Sequence, residues 1–391
     1  MNNLRLYWKE NRSIWLQIII LFVITRVMLS LVGVISNTYI PQQGYQNWKN
    51  ETIKIEHPYL QMWAVWDSKW YLKITEHGYA DSVPFVPANY STIGFFPLYP
   101  AAAAILQLIV RDPLLAGWLI SNLFLLLSAY FLYKLVRLDG DESTAKRSLW
   151  YLMLFPSAYI FSAVYPESML LCAWLVSILY ARKGVWWVAG LVGFLAAFVK
   201  PFGFLVFIPL LIIYLLKDDK LSLAVFRNFR AIWSRIRPNI IFTIFPLAGL
   251  LIWGFCNYII TGDILAYSHV QLGAWSHDFA FPWTTLYKNL FYGFIWSFNS
   301  LTTILALIVL AFGYRRIPFS YWIFALILVL FNSATGTVVG SWRYLASVFP
   351  ILMILISWGK SETIDRAILF MMALLQGCLF LFWVAGYWFV S

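Results

Sequence analysis

Charged side chains are scarce in this chain. Asp, Glu, Lys and Arg make up 12% of its 391 residues, against about 25% in a soluble domain. So little charge cannot clothe a water-facing surface, and the low polarity equally excludes intrinsic disorder. Cysteine is nearly absent. Cys172, Cys256 and Cys378 each lie inside an apolar run, which argues against a disulfide framework and against a zinc site. No internal repeat or low-complexity tract is visible, nor any cleavable signal. Residues 14–36 are too long for a signal-peptide core and read as an uncleaved first span. What is abundant is apolar: 62% hydrophobic and 19% aromatic residues, with a mean hydropathy of +0.74. Repeated apolar stretches of about 20 residues indicate membrane-spanning helices. Their near-continuous hydrophobicity excludes the alternating strands of a barrel. The expected fold is an all-α polytopic membrane protein.

Candidate spans are 14–36, 114–136, 148–164, 167–181, 185–199, 201–216, 239–260, 290–312, 319–338, 344–358 and 367–390. The further apolar run 94–110 contains Pro97 and Pro100 and ends at Arg111-Asp112-Pro113 with almost no loop. Charge decides how to treat it. A net charge of +11 suggests nucleic acid at first sight, but in a membrane protein the excess belongs to cytoplasmic loops. If 94–110 only dips into the outer face, six segments fall inside: 1–13, 134–147, 182–183, 217–237, 315–316 and 360–366. They hold 19 of the 28 Lys and Arg residues. If it spans, the basic stretches at 134–147 and 217–237 would lie outside. The reading is therefore one domain over 1–391, with eleven spans plus outer-face juxtamembrane helices, the N-terminus in and the C-terminus out. The basic 217–237 loop reads as an anchor against anionic lipid.

Two long loops then lie outside. The first, 37–93, continues through the re-entrant segment to 110, and the second is 261–289. No acid falls at mid-membrane, so a proton relay of the pump type has no members. In the first loop Leu60, Trp63, Asp67, Trp70 and Ile74 recur at helical spacing, with Lys69, Lys73 and Glu76 on another stripe. This predicts an amphipathic helix in the outer interface. Asp67 stands on its aromatic face, beside Trp66 and Trp70, where a carboxylate facing lipid would be costly. It should face a shared cavity or pair with Lys200 or Arg343. Glu167, Lys200 and Arg343 all sit at outer span ends, and Arg26 lies inside the first span. In the second loop His269, Gln271 and Trp275 are candidates for sugar or headgroup contact. His269 and His277 lack a third convergent ligand, so no metal is expected.

Cations and carboxylates gathered on one membrane face suit a lipid-linked phosphate, whose head lies at the interface and whose tail lies in the bilayer. The cations would stabilise phosphate charge, and a carboxylate could accept the proton of an attacking hydroxyl. On these residues alone sugar transfer and phosphate hydrolysis are not separated.

Several stretches resemble the GPI mannosyltransferase 2 (PIG-V) family. They are Trp66-Asp67-Ser68-Lys69-Trp70-Tyr71-Leu72 with Glu76-His77-Gly78-Tyr79, and Phe95-Phe96-Pro97-Leu98-Tyr99-Pro100. Next come Phe155-Pro156-Ser157-Ala158 and Ser162-Ala163-Val164-Tyr165-Pro166-Glu167-Ser168. Then follow Lys200-Pro201-Phe202-Gly203, Gly262-Asp263 through Trp275, Pro282-Trp283, and Ser341-Trp342-Arg343-Tyr344. Their order is collinear over nearly the whole chain. Two departures stand out: Pro166 replaces a small residue, and Lys200 replaces an arginine, keeping a charge but losing a bidentate fork.

The resemblance implies a bacterial GT-C glycosyltransferase. It implies transfer of a hexose, mannose first, from a polyprenyl phosphate to a glycolipid, wall polymer or protein acceptor on the outer face of the cell membrane. Asp67 would be the catalytic acid/base and Glu167 a supporting carboxylate. Lys200 and Arg343 would hold the donor phosphate, and Trp66, Trp70, His269, Gln271, Trp275 and Tyr344 would contact substrate. The expected partners are the lipid-linked sugar, its acceptor and membrane lipids, with no nucleic acid and no cofactor. The competing readings are a polyprenyl-lipid or glycolipid flippase and a non-catalytic subunit of a glycosylation complex.

Overall fold

The computed structural model describes residues 2–43, 59–83, 85–86, 89, 91–216 and 235–390. Most of the basic 217–237 loop, and Glu51 and Glu56 of the first long loop, lie outside the described residues. Among the described residues every regular element is helical, and the chain is an all-α, multi-pass membrane protein. In chain order the helices are α1 (Asn2–Tyr39), α2 (Ser68–His77), α3 (Leu98–Val110), α4 (Pro113–Asp139), α5 (Glu142–Leu154), α6 (Glu167–Arg182), α7 (Trp186–Ala196) and α8 (Phe207–Leu215). They continue with α9 (Ile241–Thr261), α10 (Ala266–Trp275), α11 (Pro282–Leu290), α12 (Phe294–Gly313), α13 (Phe319–Ser333), α14 (Ser341–Tyr344), α15 (Phe349–Trp358) and α16 (Glu362–Val384). Five stretches are long and apolar enough to cross a membrane alone: Asn11–Tyr39, Pro113–Asp139, Pro238–Thr261, Phe294–Gly313 and Glu362–Val384. A sixth, Ser341–Ser347 with Phe349–Trp358, is bent by 75°. The apolar helices α3, α7 and α13, and the stretch Gly203–Leu215, are shorter.

Local sequence explains the boundaries. Asp112 caps α4 by accepting from the Leu115 amide at 2.6 Å, with Pro113 in the first turn. Asp141 and Ser361 cap α5 and α16 in the same way. Arg111, in the left-handed region, ends α3 two residues before α4 begins. Thus the run 94–110 resolves into a 13-residue helix turned sharply onto α4. The span expected over 148–164 is corrected. Its helix stops at Leu154, and residues 155–166 form an irregular connection containing a 3-10 turn at Ala158–Phe161. The span expected at 344–358 likewise breaks at Val348.

α6 is the centre of the bundle. It is buried on every side, including Ser168, Ser177 and Trp174, which is why its sequence is apolar all round. α4 and α7 flank it, and α9 lies against α7. That last crossing depends on small residues. A Cβ on Gly190 would stand 2.4 Å from the Phe242 carbonyl, and one on Gly249 2.8 Å from that of Phe194. α1, α9, α12 and α16 turn large apolar side chains outward, among them Val27, Met28, Ile259, Leu305 and Phe370. Water would not tolerate such a girdle, and lipid does.

The helix ends gather at two poles. At one, Arg147 donates to the carbonyls of Gly359 and Ile356, and Arg182 pairs with Asp139 at 2.5 Å. At the other, the Val164 amide donates to the Trp63 carbonyl, and Leu98 to that of Phe198. Arg26 stands in α1 and braces this second pole. It is buried and donates to the carbonyls of Ala158 and Met153, each at 3.2 Å, and to Ser162 Oγ at 3.1 Å. Ser162 in turn donates to Asn122, and Gln376 donates to the carbonyls of Met153 and Phe155. The irregular 155–166 connection needs these donors because only part of its backbone is paired within short turns. Replacing Arg26 with Met should cost roughly 2–3 kcal/mol, read as a lowered melting temperature in nanodiscs. An unchanged melting temperature would show that the connection does not depend on Arg26.

Candidate functional site

The second pole carries the charge cluster. Asp67 does not lie within a helix. The predicted continuous helix from Leu60 is corrected: a 3-10 turn at Gln61–Trp63 ends at Ala64, Trp66 adopts a φ of 61°, and α2 starts at Ser68. Asp67 is the residue before α2. A left-handed tryptophan is rarely adopted, and here it separates the 3-10 turn from α2, with Asp67 at helical dihedrals just before the first turn. Trp66 itself is buried, edge-on to Trp388 at 5.2 Å.

Arg343 Nη1 donates to Asp67 Oδ2 at 3.0 Å and to the Tyr165 hydroxyl at 3.3 Å, and Nη2 donates to the Tyr344 hydroxyl at 3.2 Å. Its Nε lies 3.9 Å from Glu167 Oε1. The guanidinium also stands over the rings of Tyr165 and Tyr344. Glu167 opens α6, where the helix dipole favours an anion. It is 1% exposed, and its Oε1 accepts from Lys200 Nζ at 2.6 Å. Its Oε2 has no hydrogen-bond partner among the described residues. Lys200 Nζ stands 4.6 Å from the Tyr344 ring centre. Asp67, Glu167, Lys200, Arg343 and Tyr344 therefore form one cluster from four separate parts of the chain. Asp67 is its most open charged member, with a third of its side-chain surface accessible.

Trp70 and Trp275 form a wall beside the cluster. Trp70 stacks on Phe95, and Trp275 stands edge-on to both. Gln271 donates to the Gly94 carbonyl at 3.2 Å and meets His277 Nδ1 at 2.7 Å. His269 is not part of the cluster. Its Nδ1 lies 2.5 Å from Asp263 Oδ2 in the turn that ends α9. Burial pushes the Asp263 carboxyl up, but the Leu265 amide and His269 outweigh it and hold it below the usual carboxylate range. Among the described residues no three His, Cys, Asp or Glu side chains converge as metal ligands.

Three groups in this region were not singled out from the sequence. Tyr165 accepts from the Asp67 amide at 2.8 Å and donates to the Val65 carbonyl at 3.1 Å, so it fixes the turn that carries Asp67. Its place beside Glu167 in the 162–168 motif was the available signal. Tyr71 is buried against Tyr99 and Tyr165. Burial, reinforced by Glu167 and Asp67, pushes its phenol far up, so it stays a proton-bearing donor. The third is His277.

No protein-family model and no curated protein matches the sequence. Two solved structures of an Archaeoglobus fulgidus oligosaccharyltransferase are similar to it. One is a complex with Zn and sulfate (TM-score 0.45, 12% identity), and the other is tethered by a disulfide to an acceptor peptide containing the NVT sequon (TM-score 0.43, 13% identity). The matches cover 94% of this chain and 53% and 55% of those chains. This chain thus spans about half their length.

Removing one partner of a buried ion pair strands the other. Lys200→Met should destabilise by about 3–5 kcal/mol, and Glu167→Gln added to it should recover most of that loss. Additive losses in the double variant would show that the two side chains are not coupled.

Proposed function

We propose that this chain is a membrane glycosyltransferase of the GT-C type, moving one hexose from a polyprenyl phosphate to an acceptor hydroxyl at the outer face. One observation carries the reading: an accessible carboxylate, Asp67, shares a buried guanidinium with a second carboxylate–cation pair at the mouth of a helical bundle. Mannose is the proposed sugar, because the motifs around Asp67, Glu167, Lys200 and Arg343 resemble the PIG-V family. The outer face is proposed because the opposite pole holds Arg137, Lys146, Arg147, Arg182, Arg315 and Arg316 at helix ends, as positive-inside loops do.

The chemistry follows from the cluster. The acceptor oxygen bonds to C1 of the hexose as the bond from C1 to the phosphate oxygen breaks, with inversion. The hydroxyl proton passes to Asp67. The bonding pair leaves with the lipid phosphate, whose growing charge Arg343 and Lys200 stabilise. In the structure both cations rest on carboxylates, so the donor phosphate would compete with Asp67 and Glu167 for them. Tyr165 and Glu167 would hold Arg343 in place during that exchange. Trp70 and Trp275 would offer aromatic faces to the hexose, and Tyr344 would line the phosphate side.

The test is transfer from radiolabelled polyprenyl-phosphate mannose to a membrane extract, by protein in nanodiscs. Asp67→Asn should lower turnover by at least about 10²-fold while melting like the wild type, since the amide oxygen can still accept from Arg343. Wild-type-like turnover in Asp67→Asn would remove Asp67 from the chemistry. Movement of labelled lipid across the bilayer with no new glycosidic bond would replace the enzyme by a flippase.

A further inference from the structure

His277 has no role in the chemistry above, yet its ring is held in one defined state. α10 ends at Trp275, and Ser276 then turns through a φ of 55°. Among the described residues only Trp66, Arg111 and Ser276 combine a side chain with positive φ. All three directly precede an ionisable residue, Asp67, Asp112 and His277. Strain of this kind persists where the surroundings over-determine it. Here the turn folds the His277 amide back onto the Gln271 carbonyl at 2.9 Å. Just beyond, the Ala280 amide donates to the Ala334 carbonyl at 3.0 Å, and the Asp278 carbonyl lies 2.7 Å from where a Cβ on Gly336 would stand. The strap is pinned at both sides of the histidine.

Hydrogen-bond direction fixes the tautomer. A backbone carbonyl can only accept, so Gln271 must present its NH2 to Gly94 and its carbonyl oxygen to the imidazole. That oxygen can only accept, so His277 Nδ1 carries the hydrogen. In a neutral ring Nε2 is then left with a lone pair. Burial holds the imidazole below its ordinary range, so it is neutral at pH 7, although Asp67 is near enough to pull in the other direction. The ring is half-buried, and its Nε2 makes no hydrogen bond among the described residues. Trp275, two residues away, is part of the aromatic wall over Trp70.

We propose that His277 is a substrate-contacting residue of this site, whose Nε2 accepts a hydrogen bond from a hydroxyl of the transferred hexose or of the acceptor. The proposal rests on the glycosyl-transfer reading above. A neutral acceptor suits a hydroxyl beside a phosphate, because a third carboxylate there would repel the donor. Gln271 is a positioning residue: it sets the tautomer and touches no substrate.

Two measurements test this. The chain has four histidines, so selective 15N-histidine labelling in nanodiscs, with His277→Phe to identify the signal, reads the tautomer directly. The expected state at pH 7.5 is neutral with an unprotonated Nε2. A protonated Nε2 overturns the proposal. In transfer kinetics with polyprenyl-phosphate mannose, His277→Phe should raise one KM about tenfold, the size of one lost hydrogen bond. A rise for the donor places the hydroxyl on the hexose, and a rise for the extract acceptor places it there instead. His277→Gln should recover part of the loss, and Gln271→Met should raise the same KM without touching the ring. Wild-type transfer with both KM values unchanged in His277→Phe overturns this proposal alone. A wild type that transfers nothing overturns the glycosyl-transfer reading, and this one with it.

Discussion

The site depends on one buried cation. Arg343 holds Asp67, Tyr165 and Tyr344 by hydrogen bonds and reaches toward Glu167, joining partners as far as 276 residues apart. A guanidinium taken out of water is costly unless its donors are met. Here the compensation comes from the turn at Asp67, the connection at Tyr165, the first residue of α6 and Tyr344 of α14, rather than from any single helix. Those segments must converge for Arg343 to be tolerated, and their convergence creates the mouth of the bundle. Arg26 does the same for the layer beneath with two carbonyls and the Ser162 hydroxyl, gathering the end of α5 and the 155–166 connection. Between them the two arginines hold a stretch of backbone whose own hydrogen bonds are confined to short turns.

Much of this was legible in the sequence. Length and hydrophobicity located the helices, because a membrane leaves the backbone no alternative. The candidates Asp67, Glu167, Lys200 and Arg343 were legible as ionisable residues at the ends of apolar runs, and the structure brings all four together. The breaks were not legible. Leu60, Trp63, Asp67, Trp70 and Ile74 keep helical spacing, yet the chain leaves the helix between Ala64 and Asp67, because the left-handed state of Trp66 is set by tertiary contacts. The runs 148–164 and 344–358 are mostly apolar, with Pro156 and Pro350 next to the breaks as the only local signal, and Arg26, Gln376 and the Ser157 bond to the Trp342 carbonyl satisfy a non-helical path that periodicity cannot reveal. Of the two histidines in the second loop, the sequence singled out His269 and not His277 for substrate contact. Only the structure shows that one is spent on Asp263 and the other stands beside the wall of the site.

The aromatic content also takes on a specific meaning. Tyr99, Tyr133, Tyr151, Tyr159, Tyr165 and Tyr321 are wholly buried, which is unusual for a residue with a polar tip. Tyr165 gives its hydroxyl to the Val65 carbonyl in the connection before α2, while Tyr99 gives its own to the Gly117 carbonyl of α4. Their rings meanwhile pack as core, so one residue type both fills space and satisfies backbone.

The four charges of the cluster have a consequence of their own. Asp67, Glu167, Lys200 and Arg343 sum to zero, so the cluster presents balanced charge to the low-dielectric mouth of the bundle. A sugar phosphodiester would bring one negative charge, and the lipid phosphate left after transfer would carry up to two. With Asp67 and Glu167 already on the cations, each added charge raises the repulsion within the pocket. In the proposed transfer the proton taken by Asp67 offsets the charge that the lipid phosphate gains, so the net charge of the loaded site is unchanged until Asp67 loses that proton, and only then does repulsion favour release of the spent lipid.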